Sequence, residues 1–169
     1  MAGESAERQE NGLIAKIATA VKQNKGNPIT VHTKDKTIHG VVKAHKFTGR
    51  QAGGSEPYTD VVFLLHDGQE VNLSCKGTSA PSLAGGGLKG LELAVPGITR
   101  KFMKAAYNAL LTKKKLKPGD KVPDSFGHIS DAEKMKIVIG NKAMGGPIHY
   151  MYIGPMDVSG TYDANKNVL

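Results

Sequence analysis

Asp60, Ser74 and Lys76 stand in a stretch otherwise built for burial. It runs Asp60-Val-Val-Phe-Leu-Leu, turns near His66-Asp67-Gly68, and returns as Glu70-Val-Asn-Leu-Ser-Cys-Lys76. Residues 61, 63, 65, 71, 73 and 75 are all apolar, an alternation that marks two half-buried strands. A two-residue turn at Asp67-Gly68 would put Lys76 on the face of Phe63 and Asp60 on the face of Val71. A three-residue loop with Gly68 as its left-handed residue gathers every apolar position on one face. A one-residue slip flips every side chain, so the alternation selects the longer loop. Asp60 then lies opposite Ser74 and diagonal to Lys76. An acid and a lysine so placed suit metal-assisted phosphodiester hydrolysis. The acid holds a divalent ion, usually with a second oxygen ligand, and the cation acts near the phosphate or the attacking water. Asp60 would be the ligand and Lys76 the catalytic base or charge stabiliser. Ser74 stands two before the lysine, where a second acid is expected. The same residues read equally well as an acid opening a strand beside a surface lysine, with no chemistry.

Periodicity supplies the elements that must hold them. Leu13, Ile14, Ile17, Ala20 and Val21 predict a helix over 5–24, ended by Gly26-Asn27-Pro28. Glu7 and Glu10 near its start suit the helix dipole. Strands are expected at Ile29–Thr33 and Thr37–Lys46, at Leu91–Val95, at Lys136–Gly140 and at Ile148–Ile153. A helix is expected over Ile98–Thr112, with Thr99 as N-cap and Met103, Ala106, Tyr107, Leu110 and Leu111 as its buried stripe. Phe47–Ser55 and Thr78–Gly90 read as glycine-rich loops, and no P-loop signature occurs. His32, His39 and His45 form no zinc-like cluster. The C-terminal residues read as loose except for Val168-Leu169, which could dock.

The net charge of +8 is focused. Arg100, Lys101, Lys104, Lys113, Lys114, Lys115, Lys117 and Lys121 face one acid, Asp120, in that segment. A concentrated patch favours a polyanion such as DNA, with Arg50 and Lys89 as further phosphate contacts. A single cysteine, Cys75, excludes an internal disulfide and fits a reducing compartment. No apolar run approaches the roughly 20 residues that span a bilayer, so no membrane is expected. The polar N-terminus does not read as a signal peptide. A cytoplasmic protein is expected, in the host cell or virion if it is viral.

The stretches Glu56-Pro57-Tyr58-Thr59-Asp60-Val61-Val62 and Leu73-Ser74-Cys75-Lys76-Gly77, set between two helices, resemble the PD-(D/E)xK, or restriction-endonuclease-like, nucleases. The likeness spans residues 5–112. It implies an α/β (α+β) fold with a mixed β-sheet flanked by helices and a core in the order αβββαβ. On that basis residues 1–112 form a nuclease-like core, and 113–169 a C-terminal extension with a β-hairpin packed on it. It implies a metal-dependent DNA endonuclease using Mg²⁺, with Asp60, Ser74 and Lys76 at the catalytic positions. Ser74 departs from the family's acid. Members that move this acid often place it on the leading helix, which nominates Glu10 or Glu7, with Glu56 as another source. Glu70 lies about 13 Å along the strand and ranks lower. A homodimer is the family expectation for cutting both strands. The glycine-rich segment and the Met144–Asp157 tail resemble those of bacteriophage proteins. The alternative is a non-catalytic viral structural or nucleic-acid-binding protein with a basic patch at 100–121.

Overall fold

The computed structural model describes residues 2–49, 56–78, 87–112 and 128–169. Helix α1, Ala2–Gln23, carries Glu4 in its first turn and Lys22 in its last, both in the sense the dipole favours. It stops where Lys25 and Gly26 take positive φ and Gly26 N–H returns to the Val21 carbonyl at 2.9 Å. Ile17 and Ala20 are buried, with Leu13, Ile14 and Val21 beside them, as their spacing predicts.

The chain then builds strands β1 (Ile29–His32), β2 (Thr37–Lys46), β3 (Val61–Leu65) and β4 (Glu70–Cys75). Strand β5, Tyr150–Tyr152, completes a mixed sheet in the order β1-β2-β3-β4-β5, antiparallel except for the β4–β5 pair. The chain is thus of the α+β class.

The β3–β4 register is the one that apolar alternation selects. Val61 pairs with Leu73 and Leu64 with Glu70. Leu65 N–H donates to the Gln69 carbonyl at 2.9 Å across the loop His66-Asp67-Gly68, and Gly68 has φ 85°. Only glycine takes that conformation without strain. Val61, Phe63, Leu73 and Cys75 therefore turn inward with Ile17, Ala20, Ile29 and Val41 to form one core.

A second core forms from helices α2 (Gly87–Ala94), α3 (Ile98–Thr112) and α4 (Asp131–Ile139) with a 3-10 turn at Lys142–Met144. Ala94, Val95, Ile98, Ile137, Met144 and Ile148 gather there around Tyr58, with Met151 of β5 packed against them. Tyr150 and Tyr152 pack instead on the first core, so the sheet's alternation divides the two.

Several expectations are corrected. Leu91–Val95 is not a strand: Leu91, Ala94 and Val95 at i, i+3 and i+4 pack toward Ile98, and α2 runs through most of the stretch. Lys136–Gly140 is not a strand either. Ser130 caps α4 in a reciprocal box with Glu133, which sets the helical phase before the β-branched run begins. That stretch therefore forms no hairpin with Ile148–Ile153, and Tyr150–Tyr152 pairs parallel to β4 within the main sheet. In α3, Met103 and Tyr107 are exposed rather than buried. Ile98 and Phe102 make its contact with the core. Ala106, Leu110 and Leu111 have side chains outside the described residues. Thr99 lies inside α3 and is not its N-cap. Its N–H and hydroxyl both donate to Glu92, at 3.1 and 2.6 Å. Val168-Leu169 docks beside β1, with His32 N–H donating to the Leu169 carbonyl at 2.8 Å.

Candidate active site

The site forms where β3 begins, β4 ends and the first turns of α1 pass by. Asp60 precedes β3, and its Oδ2 accepts from the Ser74 hydroxyl at 3.0 Å and from the Cys75 N–H at 2.6 Å. Ser74 is fully buried, so its place is filled and its hydroxyl is committed to Asp60. A carboxylate there would meet Asp60 at hydrogen-bond distance, charge against charge. Lys76 follows β4 and its charge favours the ionised form of Asp60. The three residues singled out from spacing alone thus come together.

Burial is the main force on Asp60 and pushes its carboxyl above the usual range. The Cys75 N–H, the Lys76 charge and the Ser74 hydroxyl oppose that rise, and Glu56 adds to it. Glu10 on α1 is also raised, first by burial and then by Asp60, against the pull of Lys46. Lys46, at the end of β2, lies 3.4 Å from both Glu10 and Glu7. Of the acids proposed to replace Ser74, Glu10 is therefore the one half-buried beside Asp60. Glu56 and Glu7 are exposed at the margin. Glu70 pairs with Leu64 at the far end of the hairpin. Burial, with the Asp60 and Glu10 charges, pushes the Cys75 thiol up to about 12, so it stays protonated and is no nucleophile.

Raised carboxyls carry a pH signature with a definite sign. Glu10 holds its proton more tightly folded than unfolded. Stability therefore falls as pH climbs from the ordinary carboxyl value through the raised one, and the cost is complete above it. Glu10→Gln is expected to be more stable than wild type at about pH 8, with the gap closing toward about pH 4. Thermal unfolding against pH measures this; a gap independent of pH would mean that Glu10 titrates normally.

Two devices that the sequence did not announce position these groups. Gln9, fully buried, accepts from the Gly77 N–H at 2.9 Å. Its amide donates to the carbonyls of Gly154 and Pro155 at 2.8 and 3.2 Å. One side chain thereby ties the residue before Glu10 to the residue after Lys76. The second device is a strap on Pro57–Asp60. Tyr58 N–H donates to the Met144 carbonyl at 2.9 Å and the Thr59 hydroxyl to the Gly145 carbonyl at 2.5 Å. The Tyr58 hydroxyl donates to the Ile137 carbonyl at 2.9 Å, while its ring lies against Gly140. Gly140 has φ 75°, and a Cβ there would stand 2.6 Å from the ring. Gly140→Ala is expected to cost at least about 2 kcal/mol in urea unfolding, from left-handed strain plus the clash. A loss under about 0.5 kcal/mol would show that the strap yields freely. The signal available in sequence was a lone glycine after a β-branched run, which marks a helix end as readily as a strand turn.

The basic residues are only partly gathered. Arg100, Lys101 and Lys104 are exposed on α3 and Lys89 is exposed on α2. Lys101 is held by Glu133 at 2.6 Å, and Glu133 falls to about 2 through that contact and the Ser130 N–H. Arg50, Lys113, Lys114 and Lys115 lie outside the described residues. The cations at the start of α3, unfavourable for its dipole, are offset by the Glu92 carboxylate on the Gly97 and Thr99 N–H groups.

Among the described residues, no group of three or more His, Cys, Asp or Glu side chains is arranged to hold a metal ion. Asp60 and Glu10 fit a less demanding ion. Mg²⁺ keeps several waters and is held by one or two carboxylates together with substrate phosphate. Two half-buried carboxyls raised above their usual range are what such a cation would relieve. No described helix is long and apolar enough to cross a membrane. No family model matches the chain, and no curated protein or solved structure matches it.

Proposed function

We propose that the protein is a Mg²⁺-dependent DNA endonuclease with Asp60 and Glu10 as the metal's carboxylates and Lys76 as the catalytic lysine. One observation carries the reading: at the end of the sheet where β3 begins and β4 ends, the Lys76 charge acts on Asp60 and the Asp60 charge acts on Glu10 of the leading helix. When bound, a divalent ion would neutralise phosphate charge and lower the pKa of the attacking water. The chain's own residues prepare the rest. Ser74 and the Cys75 N–H fix the orientation of Asp60 by holding Oδ2. The Lys76 ammonium stabilises negative charge on the phosphate as water attacks and the ester oxygen leaves. Gln9 sets the distance between the helix that carries Glu10 and the strand end that carries Lys76. The exposed cations Lys89, Arg100 and Lys104 would hold flanking phosphates. Dimerisation would let two copies cut both strands.

Incubating supercoiled plasmid with the protein and Mg²⁺ or Mn²⁺ tests the reading. Nicked or linear product that disappears with chelator supports it; intact plasmid with every divalent ion refutes it. A second reading, a nuclease-like domain that binds DNA without cutting it, is favoured by Ser74. That outcome would combine intact plasmid with salt-sensitive binding.

A further inference from the structure

Helix α3 turns a face to solvent that neither core uses. Ile98 is fully buried and Phe102 packs in the second core. At the α-helical step, Arg100, Met103, Lys104 and Tyr107 fall within an arc of about 100° on the side away from both. All four are exposed, Met103 at 66% and Tyr107 at 60%. Helix α3 contains no acid, and among the described residues neither Arg100 nor Lys104 takes part in an ion pair. The one α3 cation so engaged, Lys101, lies to the side against Glu133.

An aromatic ring and a methionine left in water beside two cations with no acidic partner among the described residues suit a partner with both anionic and flat apolar parts. Nucleic acid has both, but a duplex keeps its base faces inside the stack. Only unpaired bases offer a π-face to a ring while their phosphates meet cations. We infer that this face of α3 binds single-stranded nucleic acid, with Arg100 and Lys104 on phosphates and a base stacked on Tyr107 beside Met103. The surface goes beyond the nuclease reading, adding a place on the protein where unpaired strand is held. It shares only the polyanionic partner with that reading and requires neither the metal nor Asp60.

Fluorescence anisotropy in chelator, with a DNA strand of about 20 nucleotides and the matching duplex, tests the proposal on the full chain. Tyr107→Ala should weaken single-strand binding about tenfold and leave duplex binding unchanged, while Tyr107→Phe should bind like wild type. Because Tyr107 is exposed, these variants should keep the wild-type circular dichroism. Arg100→Ala combined with Lys104→Ala should flatten the dependence of log K on log salt by about 1.4 for the single strand. Equal single-strand affinity of Tyr107→Ala and wild type overturns the proposal. So does no binding by wild type, or self-association that Tyr107→Ala abolishes, which would assign the face to a second copy. Strand binding that depends on Tyr107 without plasmid cleavage would sink the nuclease reading alone. Cleavage with strand binding indifferent to Tyr107 would sink this one alone.

Discussion

Asp60→Asn is expected to lower Mg²⁺-dependent plasmid cleavage by about a thousandfold while the protein remains folded. The substitution keeps the shape of the side chain and an oxygen able to accept from Ser74 or the Cys75 N–H, both of which meet the native carboxylate. It removes the charge that would hold the cation. Losing one preorganised electrostatic group commonly costs about a hundred- to a thousandfold in rate. Lys76→Ala should fall in the same range, and Glu10→Gln at its lower end, because Glu10 is one of two carboxylates and is partly satisfied by Lys46. Initial rates on plasmid, with circular dichroism to confirm folding, decide the matter. Wild-type rates in both Asp60→Asn and Lys76→Ala would place the chemistry elsewhere. A wild-type rate in Glu10→Gln alone would move the second carboxylate to Glu56 or Glu7.

Gln9→Leu should produce the largest loss of stability among single changes near the site, about 3 kcal/mol in urea unfolding. The side chain fits the space, but the Gly77 N–H and the Gly154 and Pro155 carbonyls lose a partner that is fully buried. Each stranded group costs about 1–3 kcal/mol, less where water can enter. Gln9→Glu separates the two halves of the clamp: it can still accept from Gly77, but it cannot donate to the two carbonyls, and it adds charge next to Glu10. It should be less stable at neutral pH than at about pH 4, where the new carboxyl is protonated. Unfolding of Gln9→Leu within about 0.5 kcal/mol of wild type would mean that the clamp holds nothing together.

The strand register was legible in the sequence because a physical rule with two outcomes chose it. Alternation at 61, 63, 65, 71, 73 and 75 allowed only an odd loop, and the observed pairing follows. The meeting of Asp60 with Ser74 came with it. Helix α1 was legible for the same reason, as was the candidacy of Glu10. Misread segments were short apolar runs, where period 2 and period 3.6 give the same first few residues. Ile137-Val138-Ile139 has β-branched composition, yet the Ser130–Glu133 box just before it had already committed the chain to a helix. In α3, the stripe of Met103 and Tyr107 had helical spacing, but Ile98 and Phe102 competed for the same core and won. Gln9 could not have been found. A glutamine in an acidic helix start looks like a solvated residue until Gly77 and, much later in the chain, Gly154 and Pro155 supply its partners.

That separation has a temporal consequence. The bond from Gln9 to Gly154 spans 145 residues, and the strap from Thr59 to Gly145 spans 86. Such closures raise contact order and belong to the slow, late part of folding. During synthesis the amino-terminal helix and the β3–β4 hairpin leave the ribosome long before Gly145 and Pro155 exist. Asp60 and Lys76 can approach through the hairpin alone, but the clamp that holds the Glu10 turn beside them is incomplete until Gly154 and Pro155 have been made. The nascent protein would thus carry Asp60, Lys76 and Glu10 without the Gln9 clamp or the Tyr58–Thr59 strap until those late residues emerge.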